Sequence, residues 1–337
     1  MTTEEVLRKL CAAPGVVGEE FVASEAAAHI LREYTDDVTV DAFGNVIAHL
    51  PGAAAEAPRI LLDAHIDQIG MIVTQIEENG FLRVSNCGGV DRRLVLGQQV
   101  TVLGKQALPG IVAAKPPHLS DDEERKKVPE ISEIAIDTGY SREELENLVM
   151  PGDRVALTGD FTMLQNGRAT SVSLDDRSGA AAILHAVKLL AGKPLPYAVT
   201  VLFSAQEETS GLGAVVAAFR EQPEEAIAVD VSFALQEGLK DRYPKMGSGA
   251  MIGIAPPLNR GMFEELVAVA KERAIPFTIE AMGGRTSTNA DGIAVSRGGV
   301  RAGLISLPLK YMHTPVEVVQ LTDVEAVGEL IAAYILR

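Results

Sequence analysis

The sequence predicts an α/β protein whose largely parallel sheet is covered by helices on both faces and interrupted once by a β-rich insert. Three observations carry this reading. Apolar runs that suit buried strands alternate with helical patterns in the first and last thirds of the chain, for example RILLDAHID, SGAAAILHAVKLLAG and YAVTVLFSAQEE. Between them, from Gln68 to about Asp160, the pattern changes to short β-like pieces with frequent Gly and Pro. Finally, the chain has 337 residues and is 47% apolar, and single cores stop growing near about 250 to 300 residues. Residues 1–67 and 161–337 are therefore expected to form the main domain, and residues 68–160 a smaller inserted one.

The elements follow in order. EEVLRKLCAAPG has helical spacing and a Pro-Gly stop, and FVASEAAAHILREY reads as a second amphipathic helix. VTVDAFGNVIAHL alternates like a strand pair around a Gly-Asn turn, and RILLDAHID suits a buried strand. Inside the insert, GMIVTQIEENGFLRVSNCGG, QQVTVLGKQALPGIVAA and GDRVALTGDFTML are β-like, and KPPHLSDDEERKKVPE is a charged loop. Strand and helix then alternate through LGAVVAAFREQ and EAIAVDVSFA. Functional residues in such a sheet are expected outside the carboxyl ends of its strands.

Charge and cysteine content narrow the function classes. A formal charge of −16 repels phosphate surfaces, so neither nucleic acid nor an anionic membrane is an expected partner. Cys11 and Cys87 are too few for a disulfide scaffold, the segment MTTEEVLRKL lacks the pattern of a signal peptide, and no apolar run is long enough to cross a bilayer. A cytoplasmic location with reduced thiols is expected.

Five segments offer metal ligands: His65 and Asp67 in DAHIDQIG, Asp175 and Asp176 in SLDDRSG, Glu207 and Glu208 in FSAQEETSG, Asp230 in AVDVSF, and His313 in YMHTPVE. Each has an ordinary reading when taken singly. An H-x-D pair is commonly a buried histidine beside an edge aspartate, and paired glutamates are commonly a solvated loop end. Asp230 is harder to dismiss, because it interrupts an apolar run and a carboxylate there needs a partner. Together they supply two imidazoles, several carboxylates and one carboxylate left over as a base, which is the composition of a two-metal hydrolase site. His65 and Asp67 lie two apart on a predicted strand, so the Asp67 carboxylate can accept the other imidazole N–H. Asp176 lies nearer the following helix and fits its N-cap, which leaves Asp175 to bridge two ions. His29, His49 and His185 are given structural roles, and His118 none.

The chain resembles the glutamyl and deblocking aminopeptidase family of co-catalytic metallopeptidases, which includes the tetrahedral aminopeptidases and some members labelled CelM-type endoglucanases. The resemblance runs through APGVVGEE, VDAFGNVIAHLPG, DAHIDQIGMIV, GGVDRRLVLGQQV, LDDRSG, AQEE and AVDVSF to the long stretch SRGGVRAGLISLPLKYMHTPVEVV. It implies a three-layer zinc-peptidase-like catalytic domain with an inserted PDZ-like β-barrel used for dimerisation and assembly, up to a tetrahedral dodecamer. It implies further that one ion is held by His65, Asp175 and Asp230 and the other by Asp175, Glu208 and His313, with Asp67 orienting His65 and Glu207 as general base. Two divalent ions are expected per subunit, Zn²⁺ or Co²⁺ first and Mn²⁺ next. The expected substrates are peptides with a free amino terminus. Gln68, Phe233 and Asn289 depart from the family's usual Glu, His and Asp. Another amidohydrolase or deacylase could use the same metal core, and a silent oligomeric scaffold would show a lost ligand or base. All are present here. A glycosidase needs two carboxylates and no histidines, so the endoglucanase label does not fit.

Overall fold

Thr2 opens the chain with a capping box: its hydroxyl accepts the Glu5 N–H at 3.2 Å while the Glu5 carboxylate accepts the Thr2 N–H at 2.8 Å. This starts helix α1 (Thr3–Ala12), which buries Val6, Leu7, Leu10 and Cys11. A computed structural model describes residues 1–123, 126–239 and 243–337. Residues 124 and 125 of the charged loop lie outside this description.

Helix α2 (Phe21–Leu31) is followed by a short antiparallel pair, β1 (Val38–Val40) and β2 (Val46–Leu50), turned at Gly44 as the Gly-Asn pattern indicates. Strand β3 (Arg59–His65) then leads into the insert. There β4 (Gly70–Ile76), β5 (Leu82–Cys87), β6 (Gln99–Leu103), β7 (Ala107–Val112), β8 (Ala135–Asp137) and β9 (Arg154–Leu157), with helix α3 (Arg142–Glu146), close into a six-stranded antiparallel barrel. The barrel packs its own core, including Met71, Val84, Val102, Ile136 and Val155.

The chain returns through β10 (Thr162–Leu164) and β11 (Arg168–Ser171) to α4 (Leu174–Leu190), β12 (Ala198–Ser204), α5 (Leu212–Glu221) and β13 (Glu225–Phe233). It ends with β14 (Ala250–Ile254), α6 (Arg260–Glu272), β15 (Phe277–Ala281), α7 (Ala290–Ala294), β16 (Arg301–Lys310), β17 (Glu317–Gln320) and α8 (Leu321–Ile335). Among the described residues the large sheet has eleven strands.

Side-chain alternation explains the three layers. Leu62 and Val201 join the core beneath α1, α4 and α8, while their neighbours Leu61 and Leu202 join a second core beneath α5. Burying each such side chain contributes about 1.5–3 kcal/mol, so the unbroken apolar runs are stable only with helices on both faces.

The sheet is less parallel than the sequence pattern predicts. β12, β3, β13 and β16 run parallel at its centre, but β1, β2, β17, β11 and β10 pair antiparallel around them, and β14 pairs antiparallel with β16. β14 also pairs parallel with β15 across the helical crossover α6, and short connections permit the antiparallel neighbours elsewhere. β10, in the DFTML piece, pairs with β11 in this sheet.

His49, read as structural, ties the flank together. Its Nε2 lies 2.9 Å from Glu221 at the end of α5 and its Nδ1 3.2 Å from Asp37.

Candidate metal centre

Two of the segments end parallel strands at the centre of the sheet. β3 terminates at His65, and β12 stops at Ser204, just before Gln206, Glu207 and Glu208. Asp230 departs from the expectation, because it lies inside β13 and not beyond its end. His313 follows the last residue of β16 by three positions. Asp175 and Asp176 sit at the entrance of α4, with non-helical dihedrals that leave Arg177 as the start of its regular turns. Ser173, Gln206 and His313 all take left-handed backbone conformations, with φ of 63°, 61° and 62°. Such strain in non-glycine residues collects at functional sites.

Both imidazoles converge on one carboxylate. His65 Nε2 lies 3.1 Å from Asp175 Oδ1, and His313 Nε2 lies 3.3 Å from Asp175 Oδ2 and 3.3 Å from Glu208 Oε2. Two three-donor groups result, His65–Asp175–Asp230 and Asp175–Glu208–His313, with ligand atoms within 4.8 Å of one another in each. Asp175 belongs to both. His65, Asp175 and Asp230 are buried, and Glu208 and His313 partly so.

The electrostatics fit a divalent pair. Burial first, and then neighbouring carboxylates, drive Glu207 up to about 7 and raise Glu208 and Asp230, the last strongly. Asp175 goes the other way: burial opposes its ionisation, but His313 and His65 hold its carboxyl far below the usual range. His313 is pushed up to about 11 by Asp175 and Glu208, and His65 also rises well above its ordinary value despite its burial. The protein thus concentrates acidic oxygens and imidazole nitrogens where cations are the missing charge, and the mixed donor set suits borderline divalent ions.

Asp67 adds a second contact to the sequence reading. β3 ends two residues earlier, so Asp67 is off the strand register; its main-chain carbonyl, at 3.2 Å, is the hydrogen-bond partner of His65 Nδ1, and its carboxylate is 3.5 Å away. The carboxylate oxygens also accept the N–H groups of Glu207 and Glu208 at 3.0 and 3.1 Å. Asp67 therefore serves both the imidazole and the loop that presents the glutamates. Asp176 behaves as expected of a cap, its Oδ1 accepting the Gly179 N–H at 3.0 Å.

Sequence reasoning missed Glu317. It is buried, and its two oxygens accept the N–H groups of Asp175 at 3.0 Å and His313 at 2.9 Å, joining the two segments behind the centre. Its signal was the one acid within YMHTPVE. The departures Gln68, Phe233 and Asn289 fall in three settings. Gln68 Oε1 accepts from Gly15 and from the fully buried Arg177. Asn289 donates to Ser204 Oγ at 2.8 Å. Phe233 is exposed and stands edge-on to Tyr243.

The centre opens on a cavity of about 720 Å³, lined on its other walls by Ser232, Phe233 and the segment from Arg285 to Asn289. That volume falls within the range of about 300–1,000 Å³ usual for small-ligand sites. Among the residues lining it, Arg285 is the one arginine or lysine, and no ion pair engages it among the described residues. Arg260 pairs with Glu264 and Arg301 with Glu225 and Glu265, so neither is free for a substrate. No helix among the described residues is long and apolar enough to cross a membrane.

Comparison with known proteins agrees with this architecture. The chain is 34% identical over 337 residues to the lysyl aminopeptidase of Pyrococcus furiosus, an alignment covering 96% of this chain and 94% of that protein. The TET aminopeptidase of a marine sediment thaumarchaeote superposes with a TM-score of 0.93 at 32% identity, over 99% of this chain and 96% of the other. The Pyrococcus horikoshii TET1 peptidase, which assembles into a tetrahedron or a large octahedral shell, superposes with a TM-score of 0.85 at 34% identity, over 99% of each chain. A family model described as M42 glutamyl aminopeptidase matches residues 44–330. With that match across most of its length, the chain belongs to the M42 family of metal-dependent aminopeptidases.

Proposed function

We propose that this metal-dependent aminopeptidase removes amino-terminal residues with a pair of divalent ions, one held by His65, Asp175 and Asp230 and the other by Asp175, Glu208 and His313. The observation that supports it most is the shared Asp175, whose two oxygens each face a different imidazole. When bound, such a pair supplies Lewis acidity and lowers the pKa of water from 15.7 towards about 7. Glu207 lines the same cavity, belongs to neither ligand group and is the general base, taking a proton from water and returning it to the leaving amine. Asp67 holds both His65 and the Glu207–Glu208 loop. Zn²⁺ or Co²⁺ suits the imidazole and carboxylate set, and Mn²⁺ is the next choice.

Arg285 sets the substrate preference. An unpaired guanidinium in a cavity otherwise crowded with carboxylates attracts an acidic side chain at the peptide's first position. A charge-assisted hydrogen bond contributes about 1.5–3 kcal/mol, so Arg285→Ala lowers kcat/KM for glutamyl anilide about 10- to 100-fold relative to alanyl anilide. A panel of aminoacyl anilides with Zn²⁺, Co²⁺ and Mn²⁺ tests activity, metal and preference together. An unchanged ratio between the two substrates in the variant removes Arg285 from recognition.

The barrel is the assembly unit of a homo-oligomer. It has its own core, holds none of the proposed ligands, and exposes Ile111, Leu119 and Met150. Ile111→Asp together with Met150→Asp is expected to shrink the particle in light scattering while metal content per subunit stays constant. A particle of unchanged size places the interface elsewhere.

A further inference from the structure

Helix α5 is apolar on two opposite faces, and only one of them is buried. Gly213, Ala214, Ala217 and Ala218 make the buried face. Leu212, Val215, Val216 and Phe219 recur at i, i+3, i+4 and i+7 and form a second stripe, in which Phe219 is 60% exposed. A helix apolar all round is normally buried, and a contiguous exposed apolar patch marks a binding surface. The stripe meets α7 at Gly292, where an added Cβ would stand 2.8 Å from Val215 Cγ2. Val295, at the C-cap of α7, lies about one turn further along and is 74% exposed.

The stripe begins in the catalytic cavity. Val215 and Val295 line that cavity beside His65 and Glu208, whereas Val216 and Phe219 lie outside it, so the apolar surface runs outward from the metal centre. From Leu212 to Phe219 the helix rises about 10 Å, the reach of about three residues of extended chain. Its far end carries a cation. Arg297 is exposed, with its guanidinium carbon 5.2 Å from the centre of the Phe219 ring and its Nη1 donating to the Phe219 carbonyl at 3.4 Å. No ion pair engages Arg297 among the described residues. We propose that this stripe binds the second and third residues of the peptide, selecting apolar side chains there, and that Arg297 receives the carboxylate of a tripeptide. Charge favours that occupant: the acids of the centre attract the peptide's amine, and the guanidinium at Phe219 attracts its carboxylate. A second copy of this chain would instead bring its own charge of −16 to the mouth of a cavity already crowded with carboxylates. A longer peptide offers Arg297 a main-chain carbonyl, a weaker acceptor than a carboxylate. The proposal rests on the reading of the metal pair as the place where the first peptide bond is cut.

The test uses the tripeptides Glu-Leu-Leu and Glu-Ser-Ser, the C-terminal amide of the first, and glutamyl anilide, which has no second residue. Full-length, metal-loaded wild type is compared with Val216→Ser/Phe219→Ser and with Arg297→Gln. In the wild type, kcat/KM for Glu-Leu-Leu is expected to exceed that for Glu-Ser-Ser by about 10-fold or more, and in Val216→Ser/Phe219→Ser by less than about 3-fold. The free acid is expected to exceed its amide about 10-fold in the wild type, and the two are expected to be cleaved alike in Arg297→Gln. Equal use of the two tripeptides by the wild type overturns the proposal, as does a preference that survives Val216→Ser/Phe219→Ser. An acid-to-amide ratio that survives Arg297→Gln overturns the role of Arg297. Should the paired variant fail to fold, Phe219→Ser alone decides by the same ratio. A paired variant whose particle shrinks in light scattering assigns the stripe to a second copy and also overturns the proposal. Failure of the aminopeptidase reading shows separately, as a wild type that cleaves neither anilide nor tripeptide. Calorimetric affinities of the uncleaved tripeptides then decide the stripe, a preference of about 10-fold for Glu-Leu-Leu supporting it and equal affinities overturning it.

Discussion

Glu207→Gln is expected to lower kcat by about 10² to 10⁴ while each subunit keeps its metal, because it removes a proton acceptor and no ligand. The glutamine preserves the shape of the loop, whose grip on Asp67 runs through the main-chain N–H of Glu207 and not its side chain. Glu207 lines the cavity beside both three-donor groups and joins neither. Burial, only partly countered by His65, brings its carboxyl up to about 7, where accepting and returning a proton at neutral pH are both accessible. Steady-state kinetics with elemental analysis check it. Loss of metal in Glu207→Gln together with retention in Glu208→Gln would mean that the two glutamates exchange roles.

Asp175→Asn is expected to weaken both ions together, by more than the roughly 10- to 100-fold that follows loss of a group behind a ligand. The carboxylate offers Oδ1 towards His65 and Oδ2 towards His313, and an amide can present only one oxygen. Asp176→Asn, one residue on, is expected to leave metal content intact and to change stability by less than about 1 kcal/mol, since asparagine caps helices as well as aspartate does. Burial and the neighbouring Asp230 already raise the Asp176 carboxyl well above its usual range, so a neutral group is tolerated there. Elemental analysis of both variants separates the roles. Equal loss in the two would contradict the division of labour between the adjacent aspartates.

What the sequence made legible is what local pattern encodes. Strands that are apolar on both faces and then break into DAHID or AQEE announce a buried sheet with acids at its edge, and the candidates His65, Asp67, Glu207 and Glu208 were readable from those breaks. Interactions closed by tertiary structure were not. Asp67 was expected to reach His65 through strand periodicity; the strand stops at His65, and the same carboxylate, 3.5 Å from His65 Nδ1, also accepts the N–H groups of Glu207 and Glu208. Asp230 was expected past a strand end and lies within β13, because β13 runs on to Phe233. Arg285, Arg260 and Arg301 are indistinguishable in the sequence, and only the folded chain leaves Arg285 unpaired at the cavity. Glu317 gave no periodic signal, since it acts on main-chain N–H groups of segments that folding brings to it. The antiparallel flanks were hidden for a related reason: strands as short as β10 and β11 carry too few residues to declare their direction.

The most direct measurement is mass spectrometry of peptide products from metal-loaded wild-type protein, using one acidic-ended peptide with a free amino terminus and the same peptide N-acetylated. The account predicts stepwise loss of single residues from the free peptide, none from the acetylated one, and no cleavage of either after chelation. Release of the acetyl group, internal cleavage, or turnover that survives chelation would contradict it.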